Sequence, residues 1–221
     1  DGHAQERSLL SAVADTVQVA DLWVMDRNFC VLGWLFRIHR QSAFFVVRQH
    51  GNTPYKPLKP LKLISKPPTG DLDEQPVEMT APSGEKIEVR RVVVKLKKPT
   101  RNGDNFIVLL TNLPKEVDTL IIAELYRHRW RIETAFQKLE SHLNSELNTL
   151  GYPQAALFGF CLALVAFNIY AIVMAAWRAT HRHQAINETV SEYSMAQEIA
   201  TNTGGMLIAI PPIEWAMFAE A

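Results

Sequence analysis

Apolar positions change their spacing several times along the first 50 residues, and the changes predict alternating helices and strands. Apolar side chains recur at helical spacing over residues 4–17, which predicts an amphipathic helix. A short apolar run, residues 22–25, stops at Asp26 and is typical of a buried strand. A second helix is expected at residues 29–39 and a second strand at residues 43–48. This order predicts an α/β fold.

The pattern changes at residue 51, where a proline-rich stretch begins. Five prolines between Pro54 and Pro68 exclude regular helix and central sheet there. Charged and apolar residues then alternate over residues 86–97, and an apolar run covers residues 105–111, so two strands are predicted. Asn102, Gly103 and Asp104 are suited to the turn between them. Residues 51–113 are therefore predicted to form a β-rich insertion.

The remainder of the chain is predicted to be mainly helical. Asp118 is a candidate N-cap for a helical region that runs to about Leu143. A further helix is expected at residues 187–201, followed by a short extended segment at residues 206–215.

The segment 155–177 is apolar almost throughout, and its length would span a bilayer. Two alternatives follow, a buried core helix and a membrane span. Its many alanines and the polar segments on both sides favour the core helix, so no membrane association is expected.

Charge and cysteine content limit the possible functions only weakly. The 23 basic residues balance the 23 acidic ones, so total charge indicates no polyanionic partner. Residues 56–101 are locally basic, however, and residues 183–221 contain no Lys or Arg, which allows a local anion-binding face. The two cysteines, Cys30 and Cys161, indicate neither a disulfide framework nor a zinc site. A cytoplasmic location is expected.

One helical face carries the candidate chemistry. At about 100° per residue, four polar residues fall within about 60° of one another: Tyr126, Arg129, Glu133 and Glu140. A carboxylate there could meet Asp26 at a strand end, and carboxylate oxygens are the ligands that Mg²⁺ prefers. The alternative is a solvated helix face, on which Arg129 and Glu133 form a pair stabilising the helix by about 0.2–0.5 kcal/mol.

The residues around these acids resemble the DDE-type insertion-sequence transposases of the "IS four" group, whose third-acid helix carries a Tyr-x2-Arg-x3-Glu-x6-Lys signature. The segment LYRHRWRIETAFQKLE matches it at Tyr126, Arg129 and Glu133, and VMDRNFC resembles the second-acid segment with Asp26. The resemblance implies a partial RNase H-like fold with a β-rich insertion subdomain and C-terminal helices. It also implies three parts: core residues 1–50, insertion residues 51–113, and core helices with a C-terminal segment over residues 114–221.

The resemblance also implies a mechanism and partners. Asp26 and Glu133 would be catalytic and would hold Mg²⁺ or Mn²⁺, which promotes DNA strand cleavage and transfer. The implied partner is DNA at transposon ends, and a homodimer is an option. The residues implied to bind DNA are Tyr126, Arg129, Arg27 and Arg131. An extension of this surface is considered for a further set of basic residues, and a solvated strand face is the favoured alternative for them: Arg90, Arg91, Lys95, Lys97 and Lys98.

Two features depart from the family pattern, one residue of the signature and the strand that carries the first Asp. Glu140 occupies the place of the signature Lys, and Lys138 lies on another side of the helix. The strand that carries the family's first Asp is expected to precede Asp1. The chain is therefore predicted to be a catalytic-domain fragment that is inactive alone. The alternative is a non-catalytic DNA-binding or regulatory fragment.

Overall fold

The computed structural model describes residues 6–68, 70–100, 103–143 and 152–180, with residues 197 and 201. The side chains of residues 6, 138–143 and 178 are outside that description. The chain divides into two compact units, residues 1–130 and 131–221. Apart from residues 197 and 201, the helix predicted at 187–201 and the extended segment predicted at 206–215 lie outside the described residues. The three-part division predicted from the sequence stays a prediction.

A seven-stranded mixed sheet is the centre of the first unit. The strands run in the order β1-β2-β7-β6-β5-β3, and β4 also pairs with β5. The β1–β2 pair is parallel, and the other pairs are antiparallel. Their bounds are Leu22–Met25 (β1), Phe44–Arg48 (β2), Lys56–Pro57 (β3), Lys62–Ser65 (β4), Gly70–Thr80 (β5), Lys86–Leu96 (β6) and Phe106–Thr111 (β7).

Five α-helices accompany the sheet in the described residues. They are α1 (Leu10–Val13), α2 (Leu32–Arg40), α3 (Thr119–His128), α4 (Trp130–Leu143) and α5 (Pro153–Thr180). The mixed α/β class predicted from the sequence is confirmed. The single helix predicted over residues 4–17 is wrong, because its described part is divided into a 3-10 turn, α1 and a second 3-10 turn.

The predicted strands β1, β2, β6 and β7 and the helix α2 are present within a few residues of their expected bounds. The long strand β5 was missed, because Asp73, Glu74 and Glu78 interrupt any apolar alternation. In the structure each of these carboxylates pairs with a basic residue of β6, respectively Lys95, Arg90 and Lys86.

The proline inside β5 is tolerated because of the side of the strand to which its nitrogen points. Pro76 O accepts a hydrogen bond from Leu58 N at 3.0 Å, so the backbone of Pro76 faces the outer strands and not β6. On that side β3 ends at Pro57 and β4 begins only at Lys62. The missing N–H of Pro76 therefore falls in the gap between two short strands.

Each face of the sheet supports a separate core. On one face α2 buries Trp34, Leu35 and Phe36 against strand residues such as Phe45 and Val47. On the other face α3 packs Ile122 and Tyr126 against a second set of strand residues, Val46, Leu72, Val92, Val94 and Leu109. The period-2 alternation of the strands thus supplies apolar side chains to both helices.

The helix α5 corrects one expectation. Its segment Pro153–Trp177 has a mean hydropathy of 2.3 and is long enough to cross a bilayer, but only 17% of its most apolar part is buried. Leu157, Phe158 and Ile172 are each at least 64% exposed. The prediction of a helix buried in the core is therefore wrong. The alanine content and the polar flanking segments had suggested burial, but the burial of a helix depends on what surrounds it.

Candidate active site at the carboxyl ends of the first two strands

The register of the parallel strands places Asp26 beside Arg48. Met25 pairs with Val47 in the last step of the β1–β2 ladder; Asp26 directly follows β1, and Arg48 is the last residue of β2. Because side chains alternate along a strand, these two residues lie on the same face as Val24 and Val46. That face is the one covered by α3. Asp26 and Arg48 therefore occupy neighbouring positions on the face that α3 covers.

The Asp26 carboxylate has a defined orientation. Asp26 caps the 3-10 turn Arg27–Phe29, and its Oδ1 accepts a hydrogen bond from Asn28 N at 2.7 Å. Aspartate is well suited to this cap because its short side chain reaches a backbone N–H two residues further on. β1 therefore ends at Met25, and the half-buried Asp26 is held just beyond the carboxyl end of the strand.

Tyr126 and Arg129 approach this edge from the C-terminal end of α3. Tyr126 is 4% exposed, and the guanidinium of Arg129 lies 5.6 Å from the centre of its ring. Burial raises the pKa of Tyr126; the charge of Asp26 acts in the same direction, while those of Arg129 and Arg48 oppose it. All three charged groups are thus close to the phenol, which stays protonated at neutral pH.

Arg48 has a partner that the sequence did not indicate. Its Nη2 donates to Oδ2 of Asp104, on the turn between β6 and β7, at 2.7 Å. The hydrogen bond from Arg48 lowers the pKa of Asp104, and the charge of Arg27 contributes in the same direction. Both side chains remain partly exposed, at 19% and 36%. Nothing in the local sequence marks Arg48, because its role arises from its neighbour across the sheet.

A buried polar cluster attaches the start of α3 to the sheet. Arg90 forms a two-pronged pair with Glu74, at 2.7 and 2.8 Å, and Nη1 also donates to the backbone oxygens of Pro114 and Val117. Thr119 donates its hydroxyl proton to Glu74. Burial alone would raise the pKa of Glu74, but the hydrogen bonds from Arg90 and Thr119 outweigh it and lower the pKa. The cluster therefore holds the start of α3 against β5 and β6.

The remaining predicted site residues are divided between the two units. Arg27 is exposed beside it. Arg129 N donates to Tyr126 O, only three residues back, so the α-helical pattern is interrupted there: α3 ends at His128 and α4 begins at Trp130. Glu133, half-buried, and Arg131, exposed, lie on α4 in the second unit. Glu140 is also on α4, and its side chain lies outside the described residues.

The basic surface considered for strand β6 is largely occupied by internal pairs. Arg90 is buried at 7% exposure, Lys95 pairs with Asp73, and Arg91 donates to Gln49 and lies over the ring of Tyr55. The alternation of charges therefore reflects pairing with neighbouring strands, so these three residues are not a free phosphate-binding row. Lys97 and Lys98 are exposed.

Comparison with known proteins identifies the family. A model of the transposase DDE domain matches residues 1–169, which is more than half of the chain. This chain belongs to the transposase DDE domain family. It is also similar to the putative transposase y4zB of Sinorhizobium fredii (strain NBRC 101917 / NGR234), with 29% identity over 171 residues, 72% of this chain. The chain spans 46% of the length of that relative.

Transposase DDE domains generally use divalent metal ions, so the fit of Asp26 to that role is relevant. Its carboxylate is a hard oxygen ligand of the kind that Mg²⁺ or Mn²⁺ takes. Within the described part of the chain, no group of three or more His, Cys, Asp or Glu side chains could hold a metal ion. Asp26 is thus chemically suited to be one ligand, and a complete ligand set is not assembled among these residues.

Proposed function

We propose that this chain is part of the catalytic domain of a DNA transposase with an RNase H-like core, of the "IS four" group. In the full-length protein it contributes to metal-dependent DNA strand cleavage and transfer. The observation that carries the proposal is the position of Asp26 at a strand end, beside Arg48 and below Tyr126 and Arg129, in a chain of the transposase DDE domain family. The test is an assay of transposon-end DNA cleavage with a form of the protein that includes all three of the family's carboxylates, in which we expect cleavage.

In this proposal Asp26 and Glu133 hold the Mg²⁺ or Mn²⁺ ions. When bound, the metal stabilises the charge that develops at the scissile phosphate. The residues of this chain supply two of the family's three carboxylates, so the chain alone does not cut DNA. The alternative function, a non-catalytic DNA-binding or regulatory fragment, uses the same basic groups and predicts no cleavage in any longer form of the protein.

The basic residues of the site bind and orient the phosphate. Arg48 and Arg129 present guanidinium groups, whose planar N–H donors match phosphate oxygens. Tyr126 stays protonated because burial raises its pKa, so it can donate a hydrogen bond. Arg27 and Arg131 contact the DNA backbone further out. These contacts supply the positioning and charge stabilisation on which phosphoryl transfer mainly depends.

Asp104 competes with the phosphate for Arg48 in this proposal. Asp104 Oδ2 accepts a hydrogen bond from Arg48 Nη2 at 2.7 Å, so we expect Asp104→Asn to tighten binding of duplex DNA about three- to tenfold. Arg48→Gln should weaken binding about tenfold, and in that background Asp104→Asn should have little effect. Fluorescence anisotropy of a labelled duplex measures each dissociation constant.

Glu116→Gln is the control for this comparison, because Glu116 is an exposed carboxylate of the same unit and also loses one negative charge. We expect it to change the affinity less than Asp104→Asn does. Weaker binding by Asp104→Asn would contradict competition and would mean that Asp104 orients Arg48 for the phosphate.

We also propose that α5 contacts protein and not lipid, and that the protein is cytoplasmic. The family match runs to residue 169 and so includes more than half of α5. The expressed chain should remain in the supernatant after high-speed centrifugation of a cell lysate. Material that stays with the membranes after an alkaline carbonate wash would instead support a membrane-bound helix. If α5 is buried between two copies, the soluble chain is a homodimer.

A further inference from the structure

The outer edge of the sheet carries an excess of positive charge. Strands β3 and β4 lie beside β5 at this edge, and the segment that contains them has lysines at regular intervals. These lysines are Lys56, Lys59, Lys62 and Lys66, and we call them the lysine edge. All four are exposed, and none forms an ion pair with another described residue.

Two carboxylates of β5 that lie opposite the lysine edge are already paired with basic residues of β6. Lys62 is the register partner of Glu74, and Lys56 is the register partner of Glu78. However, Glu74 is bound by Arg90 and Glu78 by Lys86, both from β6. The basic side chains Arg90 and Lys86 of β6 are therefore paired within the sheet, whereas the lysines of the outer edge face solvent.

The lysine edge is also accompanied by exposed apolar side chains. Leu58, Leu61, Leu63 and Ile64 are between 42% and 47% exposed. The edge runs along β5 from Glu78 to Leu72, which is about 20 Å for six steps of a strand. Along such a length a DNA duplex presents about six phosphates per strand, which is sufficient for several lysines.

One end of the lysine edge points towards the candidate active site. Ser65, the last residue of β4, pairs with Leu72 near the start of β5, and the antiparallel order of the sheet brings that end to the side of Asp26. Pro67 and Pro68, directly after Lys66, line a cavity of about 290 Å³ whose walls also include Tyr126 and Trp130. The segment directly after the lysine edge thus shares a cavity with Tyr126, on the face of the sheet that α3 covers.

We propose that the lysine edge is a second DNA-contacting surface, which binds the phosphates of duplex DNA beyond the site at Asp26. The inference rests on the proposed function for its choice of DNA as the polyanion. The edge is five strand spacings from β1, about 24 Å, so it contacts phosphates about seven base pairs from those at Asp26. Binding is independent of sequence, because lysines there meet only the backbone.

The test compares two double variants of this chain on a 24-base-pair duplex of random sequence. Lys62→Gln with Lys66→Gln should weaken binding about three- to tenfold and make the slope of log affinity against log salt shallower by about 1.8. Lys86→Gln with Lys115→Gln removes two lysines that are already paired with Glu78 and Glu88, and should change both values much less.

Equal effects of the two double variants would overturn the proposal, as would displacement of the duplex by polyglutamate of the same charge at the same concentration. Self-association of the Lys62/Lys66 variant with unchanged DNA binding would also overturn it, because edge lysines can serve only to prevent strand pairing between copies. Failure of the proposed function is distinguishable from failure of the lysine-edge proposal. In the first case Arg48→Gln and the Lys62/Lys66 variant both leave DNA binding unchanged, and in the second only the Lys62/Lys66 variant does.

Discussion

Asp26→Asn and Glu133→Gln are each expected to reduce DNA strand cleavage at least about a thousandfold in a form of the protein extended to include the first carboxylate. The physical reason is that an amide cannot replace a carboxylate as a metal ligand of the same charge, and phosphoryl transfer depends on the positioned metal. DNA binding should stay within about threefold of the parent, since phosphate contacts come from the basic residues. The measurement is single-turnover cleavage of labelled transposon-end DNA.

Two matched controls accompany these variants. Asp15→Asn removes a carboxylate that is paired with Arg37, and Glu124→Gln removes an exposed glutamate from α3. Both should cleave like the parent. The 221-residue chain by itself should show no cleavage. Cleavage by this chain that disappears on Glu133→Ala would show that no further carboxylate is needed, and parental cleavage by Asp26→Asn would remove Asp26 from the site.

Arg90→Met is expected to lower the free energy of unfolding by about 3–5 kcal/mol, because it leaves the Glu74 carboxylate and two backbone oxygens without their buried partner. Lys86→Met is the control: it breaks the more exposed pair with Glu78 and should cost at most about 1 kcal/mol. Urea unfolding followed by circular dichroism measures both. Arg90→Met combined with Glu74→Leu should recover part of the loss, because no uncompensated charge remains.

The same cluster predicts a pH dependence. The folded-state pKa of Glu74 is lowered, so its contribution to stability is present above the ordinary carboxyl range and is lost as the pH falls through the folded-state pKa. The parent should therefore lose stability on acidification more steeply than Glu74→Gln. Equal slopes for the two proteins, or an Arg90→Met variant as stable as the parent, would show that the cluster does not hold α3 on the sheet.

The sequence by itself determined those elements whose local pattern is strong. The apolar runs of β1, β2 and β7 and the alternation of β6 predict strands without knowledge of the neighbouring elements. The reason is that the period of side chains along a strand depends only on backbone geometry. The carboxylate at the end of β1 and the Tyr-Arg-Glu spacing indicated a DDE transposase, which the family match confirms, while the "IS four" group stays a prediction. The roles of Asp26, Tyr126, Arg129 and Glu133 in catalysis or DNA binding stay predictions.

Tertiary structure alone decided which charges are available. Arg48 is next to Asp26 only because β1 and β2 pair in parallel with a particular register, and that register joins residues 22 positions apart. Likewise β5 is a strand in spite of its acids and Pro76, because β6 supplies the opposite charges and the gap between β3 and β4 accepts the proline. Burial of α5 could not be decided from composition, because an apolar helix has the same sequence whether protein, lipid or solvent surrounds it.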